Sequence, residues 1–580
     1  MGNRGMGSGS RWRKMPGDTH PAIAPMRLPI LALLLAAPVL APTAAAQPAP
    51  APEPVDTAAV SFFRAEAVAR GRVMEHALWM TDVAGARLTG GPELDAAQRW
   101  SVGQFQGWGL TASLEPWGTL GRGWQVERFA MMARTDGGMG PGGDRPRPAA
   151  QAFVVQGAPK AWSPGPGRVS GEVVVIDPDS DADMARYAGQ LRGKIVLLGK
   201  PTPVDIGLEA IAERRDASEL LGMANAPASA PGGGGRTYSP ETLARYRAAQ
   251  ARRNRLFAEG PLAILEPSGT GGHGAIRATS AAVPAPADAN PMNRPQPWAE
   301  GTVTVPQVVL LDEHANRLMR LVAAGERVTL DLDLAVAFLP AQPEENVIAE
   351  IRGTDLAGEV VILGAHQDSW HSGSGATDNA AGSAVVMEAA RVLKAYYDAR
   401  GTGPRRTIRF ALWSGEEQGL HGSRGHVSQR YATTAGYGQP ATAITADQAT
   451  VSAYYNLDNG SGKIRGIYAQ GNAAAEPVFA AWLAAFNDPE ARTTTLQNTG
   501  GTDHLSFDAA GIPGFQFIQD PLAYFAHTWH TSMDVYDHLS ADDLEQASAV
   551  MATFAHHTAE RDALMPRKPF AVAPVTAGTN

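Results

Sequence analysis

Apolar residues recur at helical spacing over residues 57–84, at Phe62, Ala65, Ala69, Val73, Ala77 and Met80, and the run closes on Gly85 and Gly90-Gly91. That period predicts an amphipathic helix with a glycine-rich stop, with Gly71 a weak point inside it. A second helix is expected from Glu93 to Gly107, then strands at Leu110–Pro116 and Trp124–Met131. Residues 134–165, rich in Gly, Pro and Arg, mark a boundary. Beyond it, apolar runs at Gly171–Asp177 and Leu191–Leu198 flank a polar helix-like stretch, and Ala263–Pro267 and Gln307–Leu311 read as further strands. The glycine run Pro231–Gly235 and the helix-patterned Pro240–Glu259 are excursions from this unit, and Asp312–Ala324 reads as a helix. From Glu345 onward strands alternate with helices (Gly382–Ala399, Ala473–Asn487, Ala541–Met565), the pattern of a sheet sandwiched by helices. The expected fold class is α/β, with a separate β-rich unit in the middle of the chain.

Composition sets the scale. With 580 residues, two or three domains are expected, and 44% hydrophobic residues supply a sizeable core. A net charge of −9 gives no basic footprint for nucleic acid. There are no cysteines, so thiolate ligands and thiol catalysis are excluded and any metal must sit on N and O donors. Near the start, Met26-Arg27 precedes the apolar stretch Leu28–Ala37 and the Ala-rich Thr43–Gln47, which reads as a secretory signal with Met26 as the expected start. Its apolar part is too short and Pro-interrupted for a stable membrane span. Export to a secreted or periplasmic location is expected, with a Pro/Ala linker following.

The chemistry lies at the ends of the later strands. Val360–Gly364 runs into His366-Gln367-Asp368, then a Gly/Ser-rich turn leads to Asp378-Asn379; Ile408–Trp413 runs into Glu416-Glu417; Val451–Leu457 runs into Asp458; Trp529-His530-Thr531 closes the series. In an open α/β sheet the carboxyl ends of strands form one crevice, so these side chains can converge. Two adjacent carboxylates at Glu416-Glu417 would repel unless a cation compensates. His366 and Asp368 alternate at strand spacing, which lets the carboxylate orient the imidazole. Two imidazoles with several carboxylates suit a pair of metal ions that activate water.

This set, in its order and flanking residues, resembles the M28 family of di-zinc exopeptidases, and among them secreted members that carry an inserted protease-associated (PA) domain. The resemblance covers most of residues 57–565 and is strongest over 345–540. It implies a zinc exopeptidase fold with a β-rich PA insert at 160–302, a first peptidase segment at 57–155, the main catalytic part at 303–565 and a tail at 566–580. It implies two Zn²⁺ ions, with Asp378 bridging them, His366 and Asp458 on one, and Glu417 and His530 on the other. Glu416 would then be the general base, Asp368 the residue that orients His366, and the Asp378-Asn379 peptide cis. Tyr524 is the first choice for a donor to the oxyanion, and Asp503-His504 resembles a segment lining the substrate pocket. Asp534 is read as a support for His530, or else as a helix cap. His371, His421, His426 and His538 are read as structural or surface residues.

The expected activity is hydrolysis of a terminal bond in short peptides, with aminopeptidase and carboxypeptidase polarity both open and a homodimer admitted by the same resemblance. Two other readings stand beside it: a non-catalytic binding ectodomain of the same architecture, and a single-zinc glutaminyl cyclase-like acyltransferase. The complete ligand set weighs against both.

Overall fold

The structure is a computed structural model that describes residues 53–136, 149–229, 238–291, 294–434, 436 and 438–574. The expected signal segment and the glycine run at 231–235 lie outside these residues.

The unbroken apolar runs of the C-terminal half are strands covered on both faces. In Leu356–His366, Val361, Leu363 and Ala365 enter one core while Val360 and Ile362 enter another. In Arg406–Trp413, Ile408, Phe410 and Leu412 point to the first core and Ala411 and Trp413 to the second. Side chains alternate along a strand, so a strand buried on both faces has no polar positions to alternate with. The strands form a mixed eight-stranded sheet in the order Thr111–Gly118, Glu344–Ile351, Arg406–Trp413, Leu356–His366, Val451–Asn456, Gly514–Gln519, Ile464–Tyr468 and Thr493–Thr495. Helices Thr57–Ala69, Ala381–Arg400, Glu476–Phe486 and Ala541–Glu560 cover one face through Phe63, Val385, Phe479 and Phe554. Val427 of helix His421–Arg430 and Phe507 cover the other. This is the α/β sandwich expected.

The N-terminal helix is not continuous over 57–84. Helix Thr57–Ala69 stops and Val73–Leu78 begins a new one, followed by a wider turn at Trp79–Val83. A β-carbon on Gly71 would run into the carbonyl oxygen of Ala67, so glycine is what allows the break.

A second eight-stranded sheet has the order Gln151–Val154, Gly123–Thr135, Val328–Leu339, Gly167–Ile176, Ile195–Leu198, Ala263–Pro267, Gln307–Leu310 and Gly157–Pro159. It reaches well beyond the expected 160–302. Gly123–Thr135 and Val328–Leu339 pair antiparallel from Gly123↔Leu339 to Thr135↔Val328. Their alternate residues Met131, Ala133, Leu330, Leu332 and Leu334 fill this sheet's core together with Leu318 of helix Asp312–Ala323. Long strands that bury one face together stay together, so the chain passes from the first sheet to the second before 123 and back after 339. Among the described residues no helix is long and apolar enough to cross a membrane.

Candidate metal centre

Strand register brings the chemistry to one edge of the first sheet. His366 stands opposite Trp413 and Gly364 opposite Asn456 in a parallel trio, so the chain leaves all three strands at one level. His366, the Ser414–Glu417 turn and Asp458 therefore meet. The fourth strand, Gly514–Gln519, runs parallel to the third and feeds the stretch that carries Tyr524 and His530. Asp378 arrives from a turn whose Gly375 has φ 64°, and a β-carbon there would collide with Ser369 and lie 3.0 Å from Arg87 Nη2. The Asp378–Asn379 peptide is cis.

Two ligand triads share Asp378. His366 Nε2 lies 3.2 Å from Asp378 Oδ1 and 3.4 Å from Asp458 Oδ1. His530 Nε2 lies 3.2 Å from Asp378 Oδ2 and 3.0 Å from Glu417 Oε2. Donors about 2.0–2.1 Å from a tetrahedral ion stand about 3.4 Å apart, so the spacing fits an ion within each triad. His366 Nε2, Asp378 Oδ2, Asp458 Oδ1 and Glu417 Oε1 are buried without a hydrogen-bond partner. Buried polar atoms normally have one, and unpartnered atoms gathered around Asp378 in this way suit a cation site.

The titration of the ligands says the same. Burial alone would lower the His530 imidazole, but Glu417 and Asp378 hold it up at about 10. Burial raises Glu417 to about 7, with His530 opposing and Asp378 adding to the rise. Burial likewise pushes Glu416 well above the ordinary carboxylate range, His366 pulling it down and Asp458, Asp503 and Glu417 pushing it further up. Without cations the carboxylates repel and the imidazoles take protons in their stead.

The supporting residues differ in part from expectation. The Nδ1 of His366 lies 3.0 Å from the main-chain oxygen of Asp368, closer than the 3.6 Å to its carboxylate. An Nδ1–H donated there leaves Nε2 as the free lone pair. The Asp368 carboxylate also accepts the N–H groups of Glu416 and Glu417, at 3.2 and 3.3 Å, and the Thr89 hydroxyl at 3.0 Å. Asp368 thus joins the His366 strand to the Glu416-Glu417 turn. Asp534 does not touch His530: its carboxylate accepts Thr377 N–H, Thr377 Oγ1 and Asp378 N–H at 2.5, 2.7 and 3.1 Å, gripping the backbone of the shared ligand. An acceptor with two oxygens suits adjacent N–H donors better than one imidazole edge.

Sequence reading missed Arg87. It is fully buried, and its guanidinium donates to five main-chain carbonyls, of Met80, Gly85, Gln367, Ser374 and Gly375. Gln367 adjoins His366, and Gly375 opens the turn to Asp378, so one planar fork sets both ligand loops. Burial pushes this guanidinium down to about 10, against the pull of Asp534, Asp368, Asp378 and Glu417. The phenol of Tyr524 is buried beside the centre, and burial with Asp378, Asp458 and Glu417 raises its pKa well above the usual value. Asp503 is buried in the wall, raised to about 7 by burial with Asp458 and Asp368 adding and His366 opposing. His504 turns away, its Nε2 3.1 Å from the Thr499 carbonyl. His371 meets the Pro159 carbonyl at 2.6 Å, His426 meets Glu115 at 2.5 Å, and His527 lies between His273 and His538 rather than in a triad.

Residues 346–555, which contain every triad ligand and Glu416, match Peptidase family M28. This stretch is similar to the peptidase domains of that family. Carboxypeptidase Q of Mus musculus is 28% identical over 272 residues, 47% of this chain and 54% of that protein. The chain therefore spans about half the length of the curated relatives it matches. In fold it is similar to a Peptidase M28 precursor from Shewanella amazonensis SB2B, with TM-score 0.59 and 23% identity over 89% of this chain and 99% of that one. It is also similar to BSAP, a zinc aminopeptidase from Bacillus subtilis, with TM-score 0.51 and 16% identity over 85% and 96%. Arg87 and Thr89 lie outside the matched M28 stretch, although both brace its ligands.

Proposed function

We propose that this chain is an exported, zinc-dependent exopeptidase that hydrolyses a terminal peptide bond of short peptides. The observation that carries it is the pair of triads joined by Asp378, with Glu416 alongside. Nitrogen and oxygen donors at tetrahedral spacing favour zinc, and the Bacillus subtilis neighbour is named a zinc aminopeptidase. His366, Asp378 and Asp458 would hold one ion, and Asp378, Glu417 and His530 the other. Bound zinc would polarise the scissile carbonyl and bring the pKa of an attacking water towards 7.

The chain's own residues supply the rest. Cations in the triads would offset the burial and the carboxylate repulsion that push Glu416 up, leaving a carboxylate able to take a proton from water and pass it to the leaving amine. Its turn is held by Asp368, so the base is fixed relative to His366. Tyr524 keeps its phenolic proton and can donate it as a hydrogen bond to the developing oxyanion. The part of the chain around the second sheet is read as a PA-type insert that frames the cleft, and the region up to Ala46, with Met26 as its start, as the export signal. Glu416→Gln is expected to lower kcat on dipeptides about 10²–10⁴-fold while bound metal stays unchanged. Full turnover in that variant would remove Glu416 from the mechanism. A panel of dipeptides blocked at either end assigns polarity by which block abolishes cleavage.

A further inference from the structure

His530 is held both by its own stretch and by chain that belongs to the second sheet. Its φ is 54°, a region that a residue with a β-carbon resists, so its backbone needs outside support. Part of that support is local: Thr531 Oγ1 donates to the His527 carbonyl at 2.7 Å, and the Trp529 ring stacks on the imidazole at 4.0 Å. The rest crosses from the second sheet's domain. Ala278 N–H donates to the His530 carbonyl at 2.7 Å, Ser532 N–H to the Ile276 carbonyl at 2.8 Å, and Ile276 N–H to Ser532 Oγ at 3.0 Å. Between them Arg277 and Thr531 pair as an antiparallel bridge.

The donating segment is itself anchored. Arg277 N–H donates to Ser268 Oγ at 2.8 Å, Ser268 Oγ donates to the Ala275 carbonyl at 3.1 Å, and Ile276 packs on Val309 and Leu311. The chain between strands Ile195–Leu198 and Ala263–Pro267 of that sheet also reaches the other end of this stretch, where Glu213 N–H donates to the Leu522 carbonyl at 3.1 Å and Arg214 pairs with the buried Asp520 at 2.8 Å. The loop that carries Tyr524 and His530 is therefore pinned at both ends by the insert.

We infer that Ala275–Ala278 is a positioning element of the metal centre, and that docking of the second sheet's domain and metal binding at the Glu417–His530 triad are thermodynamically linked. This rests on the metal reading of the triads. Linkage is reciprocal: if docking orders His530 for the ion, the ion must tighten the docking by the same factor. An element outside the matched M28 stretch would then set metal affinity inside it.

The test is hydrogen exchange of the full-length protein, followed by mass spectrometry, with zinc removed and with zinc restored. Zinc is expected to slow exchange in peptides covering 272–280 about tenfold, although none of those residues is a ligand. Ala278→Pro deletes the N–H on the His530 carbonyl; it is expected to weaken one of two zinc equivalents tenfold or more and leave the other unchanged. Ser532→Ala should shift the same equivalent by a smaller factor. Zinc uptake by the wild type with unaltered exchange over 272–280, or two wild-type affinities in Ala278→Pro, would overturn the inference alone. If Ala278→Pro loses cooperative melting, Ser532→Ala and the wild-type exchange decide, and wild-type affinity without slowing overturns it. A wild type that binds no zinc would overturn the proposed function and this inference with it.

Discussion

His530 and Glu417 both have to give up protons before an ion can enter their triad. In the metal-free protein His530 titrates at about 10 and Glu417 at about 7. Below pH 7 both are protonated and compete with the metal; between 7 and 10 only the imidazolium does. Apparent zinc affinity is therefore expected to rise with pH, about 100-fold per unit below 7 and about tenfold per unit from 7 to 10. A competition titration against a chelator of known affinity measures this directly. A profile flat from pH 6 to 9 would mean that these two groups do not hold the ion. Residue by residue, the candidate ligands stood out because a His or carboxylate after an apolar strand is out of keeping with its surroundings. Arg87 was not, because an arginine near a turn looks like any surface cation, and its five acceptors are main-chain carbonyls that no side-chain pattern reports.

Among elements, helix Ala381–Arg400 has the closest bearing on the site. It starts directly after Asp378-Asn379, and Gly382 N–H donates to Asn379 Oδ1 at 3.0 Å while Asn379 Nδ2 donates to the Leu457 carbonyl at 2.9 Å. A β-carbon on Gly382 would collide with that carbonyl and with Asn379. Glycine to alanine in a helix ordinarily stabilises by about 0.5–1 kcal/mol. Gly382→Ala is expected to do the reverse, destabilising by about 1–3 kcal/mol through overpacking against the Asp458 strand end. Denaturant unfolding checks the sign, and a more stable variant would show that the helix start is not wedged there. Strands buried on both faces were the most legible elements, since Val360–Ala365 and Ile408–Trp413 have no competing helical period. The break at Gly71 was less so, because the apolar period continues across it and only the folded backbone shows that a β-carbon there would strike the Ala67 carbonyl.

At the scale of the whole molecule, two sheets share the work unequally. The first carries every candidate ligand at the carboxyl ends of its strands or in the stretches that follow them; chain between strands of the second reaches across at 213–215 and 275–278 to the loop bearing His530. The class of fold and the presence of a middle β-rich unit followed from alternating apolar runs. The extent of that unit did not, because the pairing of Gly123–Thr135 with Val328–Leu339 joins residues some two hundred positions apart, and register between distant strands leaves no local signature. The main-chain bridges from 275–278 to the His530 stretch were invisible for the same reason. The central claim is that one carboxylate, Asp378, joins two cation sites, and the metal content of purified wild type and Asp378→Ala, read by mass spectrometry alongside Asp458→Ala and His530→Ala, tests it most directly. The account predicts two zinc ions per chain in the wild type, one in each of the outer-ligand variants, and loss of both in Asp378→Ala. Two tightly held ions in Asp378→Ala, or a wild type that never holds more than one, would contradict it.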